Sequence, residues 1–200
     1  MMEALLALLV ATVASFIGSL QAGLVNTAVL AAAIRHGPAT ARRTAWGGAL
    51  PEILYAAIAF VATDRILAYT TSWGITPGRI TAVVLIGLGL YIALIMKPFH
   101  IQTDTKVRGG FMRGLALGLM NPQLALFWCG VRLGMESFGV QLHGWGALVG
   151  FSMGAFLGAM ALLLLLIKVG GHLRERLADR ALSRAFRVLG AILVLAGVWA

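Results

Sequence analysis

Charged residues are scarce in this chain. Only 12% of its 200 residues are Asp, Glu, Lys or Arg, whereas 60% are hydrophobic. A soluble domain is about one quarter charged and about half apolar, so this composition excludes an ordinary soluble protein and favours a membrane protein. Cysteine is nearly absent as well. The single Cys129 excludes a disulfide within the chain and a redox relay of two cysteines.

The motifs of common enzymes are also missing. The sequence has no Gly-rich phosphate loop, no nucleophile elbow and no zinc-enzyme pattern, so we expect neither an enzyme nor a bound cofactor. No histidine has a partner at metal-ligand spacing, which predicts that there is no metal site. The histidines lie in loops or at the ends of apolar runs: His36, His100, His143 and His172.

Six apolar runs are long enough to cross a bilayer, since roughly 20 apolar residues span the hydrocarbon core. They cover residues 4–34, 44–63, 80–96, 111–133, 145–169 and 181–200. The first run exceeds the length of one straight span, which predicts a tilt or a break near residues 21–23. The sequence therefore predicts an all-α membrane protein with six transmembrane helices.

The basic residues indicate the orientation of these spans. The net charge is +9, and thirteen of the 16 basic residues lie in the loops between spans one and two, three and four, and five and six. The positive-inside rule places these loops in the cytoplasm and both termini on the non-cytoplasmic side. We expect the basic loops to contact anionic lipid headgroups. We expect no nucleic-acid partner, because the charges separate apolar runs.

Two short sequence motifs occur once in each half of the chain. Gly23-Leu24-Val25-Asn26 in span one corresponds to Gly118-Leu119-Met120-Asn121 in span four, and Trp46-Gly47 in span two corresponds to Trp145-Gly146 in span five. Since each half has three spans, the second half would insert inverted with respect to the first. We predict a three-helix repeat at 1–97, a cytoplasmic linker at 98–110 and a second, inverted repeat at 111–200, all within one membrane domain.

Glycines recur every four residues in two of the spans. Small residues at this spacing permit helix backbones to approach closely. The pattern predicts either packing within the chain or the contact surface of a homodimer. The glycines are Gly110, Gly114 and Gly118 in span four, and Gly146, Gly150, Gly154 and Gly158 in span five.

Polar residues inside the spans are the candidate site. Glu52 is the only acidic residue well inside a predicted span, where a charge costs about 2.5–3.5 kcal/mol. It could carry a coupling proton, bind a cation or bind a substrate ammonium group. Alternatively, it is an uncharged structural carboxyl group bonded to Asn26 or Asn121. Substrate binding is predicted for the polar helix breaks, at Asn26, Thr27, Asn121, Pro122 and Gln123.

The sequence resembles the LysE/RhtB family of bacterial amino-acid exporters over nearly its whole length. The resemblance is carried by Arg42-Arg43 before Trp46-Gly47-Gly48-Ala49, and by Arg113-Gly114 followed by Asn121-Pro122-Gln123 and Phe127-Trp128. The first span differs, because Gln21-Ala22-Gly23 stands where the family usually has Pro-Gly-Pro. The resemblance implies a proton-driven exporter of amino acids or related small metabolites in the bacterial inner membrane.

These observations predict a secondary transporter that works by alternating access of two inverted halves. Two alternatives stay open at this stage. One is a cation or metal exporter on the same scaffold. The other is a membrane subunit or assembly factor that transports nothing. It would bind a partner through the glycines that recur every four residues in spans four and five, which we call the glycine ladders.

Overall fold

A computed structural model of the protein describes residues 1–20, 23–71, 110–121 and 123–173, together with isolated positions between 79 and 90. The described part of the chain contains six long α-helices and no strand. The helices are α1 (Met2–Ser19), α2 (Leu24–His36), α3 (Pro38–Thr71), α4 (Phe111–Leu119), α5 (Gln123–Ser137) and α6 (Gly144–Leu173).

Three of these helices are long and apolar enough to cross a membrane: Met2–Ser19, Pro38–Leu67 and Gly144–Lys168. A fourth span results if α4 and α5, whose axes differ by 64°, are taken together. The predicted class of an all-α protein with apolar spans is thus confirmed for the described residues. The span predicted at 181–200 lies outside them, as does most of the span at 80–96.

Both copies of the Gly-Leu-x-Asn motif lie next to a break between two helices. The first predicted span is divided into α1 and α2, and Gly23 is the N-cap of α2 in extended conformation. The fourth predicted span is divided into α4 and α5 by the residues around Asn121. In contrast, α3 continues through Pro51, whose ring is fully buried. Each break therefore lies next to one copy of the repeated motif, before Leu24-Val25-Asn26 in span one and after Gly118-Leu119 in span four.

The glycines of α6 bring that helix against α1. A Cβ atom at Gly150, Gly154 or Gly158 would overlap with the backbone of α1, at the carbonyl oxygens of Ala4, Leu8 and Thr12 respectively. Ser15 of α1 adds a hydrogen bond of 2.7 Å to the carbonyl of Ala155. The close approach that the spacing predicted is thus made within the chain.

The glycines of α4 have the same function against α3. A Cβ atom at Gly114 would overlap with the carbonyl oxygen of Thr44, and one at Gly47 would overlap with that of Phe111. At Gly118, a Cβ atom would lie 2.7 Å from the ring of Pro51. Among the seven glycines that recur every four residues, only the first of each series, Gly110 and Gly146, has room for a side chain.

The helices give the described bundle two ends. The backbone N–H of His143, just before α6, donates a hydrogen bond of 3.2 Å to the side chain of Glu3 in α1. The start of α1, the end of α5 and the start of α6 therefore lie at one end of the bundle, which we call the N-terminal face. Tyr69 and Trp145 are largely exposed at this end, as is usual for aromatic residues at a membrane surface. The Gly37 face is the opposite end, where Gly37, with φ of +83°, joins α2 to α3.

Candidate functional site

A cavity of about 90 Å³ lies where the two helix breaks meet α3 and α6. One water molecule needs roughly 10–15 Å³, so several waters or a small ligand would fit. Its polar lining comes from both halves of the chain: Ser19, Asn26, Glu52, Asn121 and Gln123. Its apolar lining includes Leu24, Val25, Leu124, Phe127, Ala159 and Leu163. The cavity is therefore amphipathic, as small-molecule sites usually are.

Asn26 stabilises the first break. Its side-chain amide donates a hydrogen bond of 2.6 Å to the carbonyl of Ser19, which is the last residue of α1. A carbonyl left without a partner inside a membrane would cost several kcal/mol, so a break at this depth requires such a donor. Thr27 instead bonds back to the carbonyl of Gly23 over 3.0 Å, within its own helix.

The second break is stabilised from α3. The hydroxyl of Tyr55 donates a hydrogen bond of 2.7 Å to the carbonyl of Leu119, the last residue of α4. The backbone carbonyl of Asn121 then accepts from the N–H of Leu124 over 3.3 Å and caps the start of α5. Both breaks thus have a polar side chain that satisfies the end of the preceding helix.

Two helix N-termini border the cavity as a result. The first turn of α2 contributes Leu24, Val25 and Asn26, and the first turn of α5 contributes Gln123 and Leu124. The start of a helix carries a partial positive charge, which favours an anion such as a carboxylate. The cavity can therefore attract negative charge at two of its walls.

Glu52 supplies a carboxyl group at a third wall. It is 6% exposed, and its Oε2 accepts a hydrogen bond of 2.6 Å from the indole N–H of Trp128. Trp128 is completely buried and belongs to α5, so this bond joins α5 to α3. The cavity therefore combines one buried carboxyl group with two helix N-termini.

Four of the six predicted site residues meet in this cavity: Asn26, Glu52, Asn121 and Gln123. Thr27 lies beside it on α2 but is not part of its lining, and Pro122 lies outside the described residues. The sequence did not point to Tyr55 or Trp128. Trp128 lies in the Phe127-Trp128 pair that carried the family resemblance, but nothing in that pair pointed to Glu52.

No protein-family model, curated protein or solved structure matches this chain.

Proposed function

We propose that the protein is a secondary transporter of the bacterial inner membrane. It would export amino acids or related small metabolites, driven by protons, with a fold similar to that of the LysE/RhtB family. The observation that carries this proposal is the meeting of two interrupted helices and Glu52 at one cavity. Interrupted spans whose half-helix ends face a central cavity are typical of secondary transporters.

The packing of the helices supports two inverted repeats. The first part of span one, α1, packs on α6 of span five, and the first part of span four, α4, packs on α3 of span two. Exchanging the two halves converts one of these contacts into the other. Rocking of one half against the other would then expose the cavity to each side in turn.

The chemistry of the cavity favours a zwitterion. The helix ends would bind the carboxylate of an amino acid, while Glu52 would bind its ammonium group or the coupling proton. An exported cation is the rival, because Glu52 and the amide oxygens of Asn26 and Asn121 are oxygen ligands of the kind that hard cations take. A subunit that binds partners through its glycine ladders has less support, since most of these glycines pack inside the chain.

Efflux from proteoliposomes tests the proposal. Vesicles loaded with a mixture of labelled amino acids are placed under an imposed proton gradient, with the native chain, Glu52→Gln or Glu3→Gln. Glu3 is exposed on the N-terminal face and serves as the matched control. We expect the native chain and Glu3→Gln to move at least one amino acid, and Glu52→Gln to lose that gradient-driven movement.

Absence of transport by the native protein would contradict the proposal. If folded native protein moves no amino acid, the amino-acid exporter is rejected. Efflux of a metal cation from the same vesicles, lost in Glu52→Gln, would then favour the cation exporter.

A further inference from the structure

We propose that Trp128, Phe60, Phe151 and Arg132 form a gate that closes the cavity towards the N-terminal face, with Asp64 and Glu136 holding Arg132 in place. This inference rests on the proposed function, because a gate has a purpose only in a protein that admits a solute. It assigns the structure to the state closed on that side.

Two stripes of side chains, four residues apart, face each other above the cavity. One stripe on α3 consists of Glu52, Ala56, Phe60 and Asp64, and the other on α5 consists of Leu124, Trp128, Arg132 and Glu136. Residues four apart lie on one face of a helix. At 1.5 Å per residue, the stripe on α3 rises by roughly 18 Å from the cavity to the N-terminal face.

Aromatic rings fill the space directly above Glu52. The ring of Trp128 packs edge-on against Phe151 of α6, with centroids 5.2 Å apart, and Phe151 packs against Phe60 with centroids 5.8 Å apart. All three side chains are buried. Because they come from α3, α5 and α6, they close the route between these helices.

Arg132 fastens the layer at its outer edge. Its guanidinium group lies 5.0 Å from the ring centre of Phe60 and is buried. It donates to Asp64 of α3 over 2.9 Å, to Glu136 of its own helix over 2.8 Å and to the carbonyl of Leu142 over 3.0 Å. A charge-assisted bond of this length is strong, and separating α5 from α3 requires breaking the one between Arg132 and Asp64.

The same separation would disturb the candidate site. Three contacts join the two stripes: Glu52 with Trp128, Phe60 with Arg132, and Asp64 with Arg132. A substrate ammonium group that bonds to the carboxyl group of Glu52 would share this acceptor with the N–H of Trp128, and two donors on one acceptor weaken each other's hydrogen bonds. Occupation of the cavity would therefore loosen the inner end of the gate, which links binding to opening.

Thiol labelling tests the gate without requiring transport. In a Cys129→Ser background, Ser19→Cys places one thiol in the cavity lining, and a membrane-impermeant maleimide is added at the N-terminal face. Labelling of the unfolded protein sets the maximum. The gate variants are Asp64→Asn, which removes the charge from an accessible partner of Arg132, and Trp128→Phe, which keeps a ring but removes the donor to Glu52.

We expect slow labelling with the native gate and about tenfold faster labelling with Asp64→Asn or Trp128→Phe, because each removes a bond that favours the closed population. Asp64→Glu keeps the charge and should retain protection. Trp145→Phe is the matched control, since Trp145 is 82% exposed at the same face and should leave the rate unchanged. Thermal unfolding of each variant verifies its fold.

Two results would overturn the gate. One is native Ser19→Cys that is labelled from the N-terminal face as fast as the unfolded protein, and the other is a rate that neither gate variant changes. The labelling results also distinguish a wrong gate from a wrong proposal of amino-acid export. Faster labelling in both gate variants, with no amino acid moved by the native chain, supports the gate and rejects the proposed substrate.

Discussion

Asn26 and Glu52 show how single polar residues adapt to an apolar surrounding. The amide of Asn26 satisfies the carbonyl of Ser19 across the first break, and the carboxyl group of Glu52 accepts from Trp128. The amide nitrogen of Asn26 and Oε2 of Glu52 thus each have a specific partner, because the hydrocarbon of a bilayer offers no water to replace it. Removal of one partner should therefore be costly.

Asn26→Leu tests this at the first break. Leucine, like asparagine, is unbranched at Cβ and has a similar volume, but it cannot donate a hydrogen bond to the carbonyl of Ser19. We expect the free energy of unfolding to fall by about 1–2 kcal/mol. Thr27→Val is the control, since Thr27 bonds only within its own helix, and its loss should cost less than about 1 kcal/mol. Unfolding in mixed micelles with increasing denaturing detergent measures both, and equal losses would contradict the bridging function of Asn26.

The sequence indicated Glu52 as a candidate site residue but did not indicate its hydrogen-bond partner, Trp128. A carboxyl group in an apolar run is conspicuous, whereas a tryptophan in such a run is ordinary. The spacing of four between Trp128, Arg132 and Glu136 was visible, but the alignment of α5 with α3 was not. Arg132 is one of the three basic residues outside the predicted cytoplasmic loops, and nothing in the sequence indicated that its side chain is buried.

Helix contacts depend on the glycine ladders. In α6, Gly154 and Gly158 lie against the backbone of α1, where no side chain fits. In α5, by contrast, a Cβ atom at Gly134 would meet nothing within 4 Å. Gly154 and Gly134 have the same helical conformation and differ only in their surroundings.

Gly154→Ala and Gly134→Ala are therefore a matched pair. An added methyl group at position 154 forces α1 and α6 apart, and we expect a loss of about 1–3 kcal/mol in stability. At position 134 the same change should be neutral or stabilise by up to about 1 kcal/mol, because alanine favours the helix more than glycine does. Thermal unfolding in detergent measures the difference. A Gly154→Ala protein as stable as its Gly134→Ala counterpart would contradict the packing of α1 on α6.

The sequence predicted both helix breaks and the close approach of helices, but it could not assign partners to the ladders. Spacing of small residues shows only that some backbone can approach. The partner depends on the arrangement of all the helices, so the pattern was consistent both with packing within the chain and with a homodimer. In the structure, the carbonyls of Ala4, Leu8 and Thr12 identify α1 as the partner of α6.

For the whole molecule, composition predicted the all-helical membrane class, and the distribution of basic residues predicted its orientation. The structure adds that Gly37 and His143 lie at opposite ends of the described bundle. The N-terminal face should then be non-cytoplasmic, because Arg35, Arg42 and Arg43 lie near the other end.

Site-directed labelling measures this orientation. In the Cys129→Ser background, Ala39→Cys and His143→Cys place exposed thiols near the two ends. We expect an impermeant reagent added outside intact cells to label His143→Cys only, and the same reagent to label Ala39→Cys after the membrane is made permeable. Labelling of Ala39→Cys in intact cells would reverse the predicted orientation.

The packing of α1 on α6 has a consequence for biosynthesis. Ser15 and its acceptor Ala155 are 140 residues apart, so α1 is made long before the helix that covers its carbonyl-lined side. At about 5–20 residues per second, a ribosome needs on the order of ten seconds to bridge that interval. During this time α1 must persist in the lipid as a separate span, which its uncharged, apolar sequence from Ala4 onwards allows. Although α1 precedes the other described helices in the chain, it is thus among the last of them to find its neighbour.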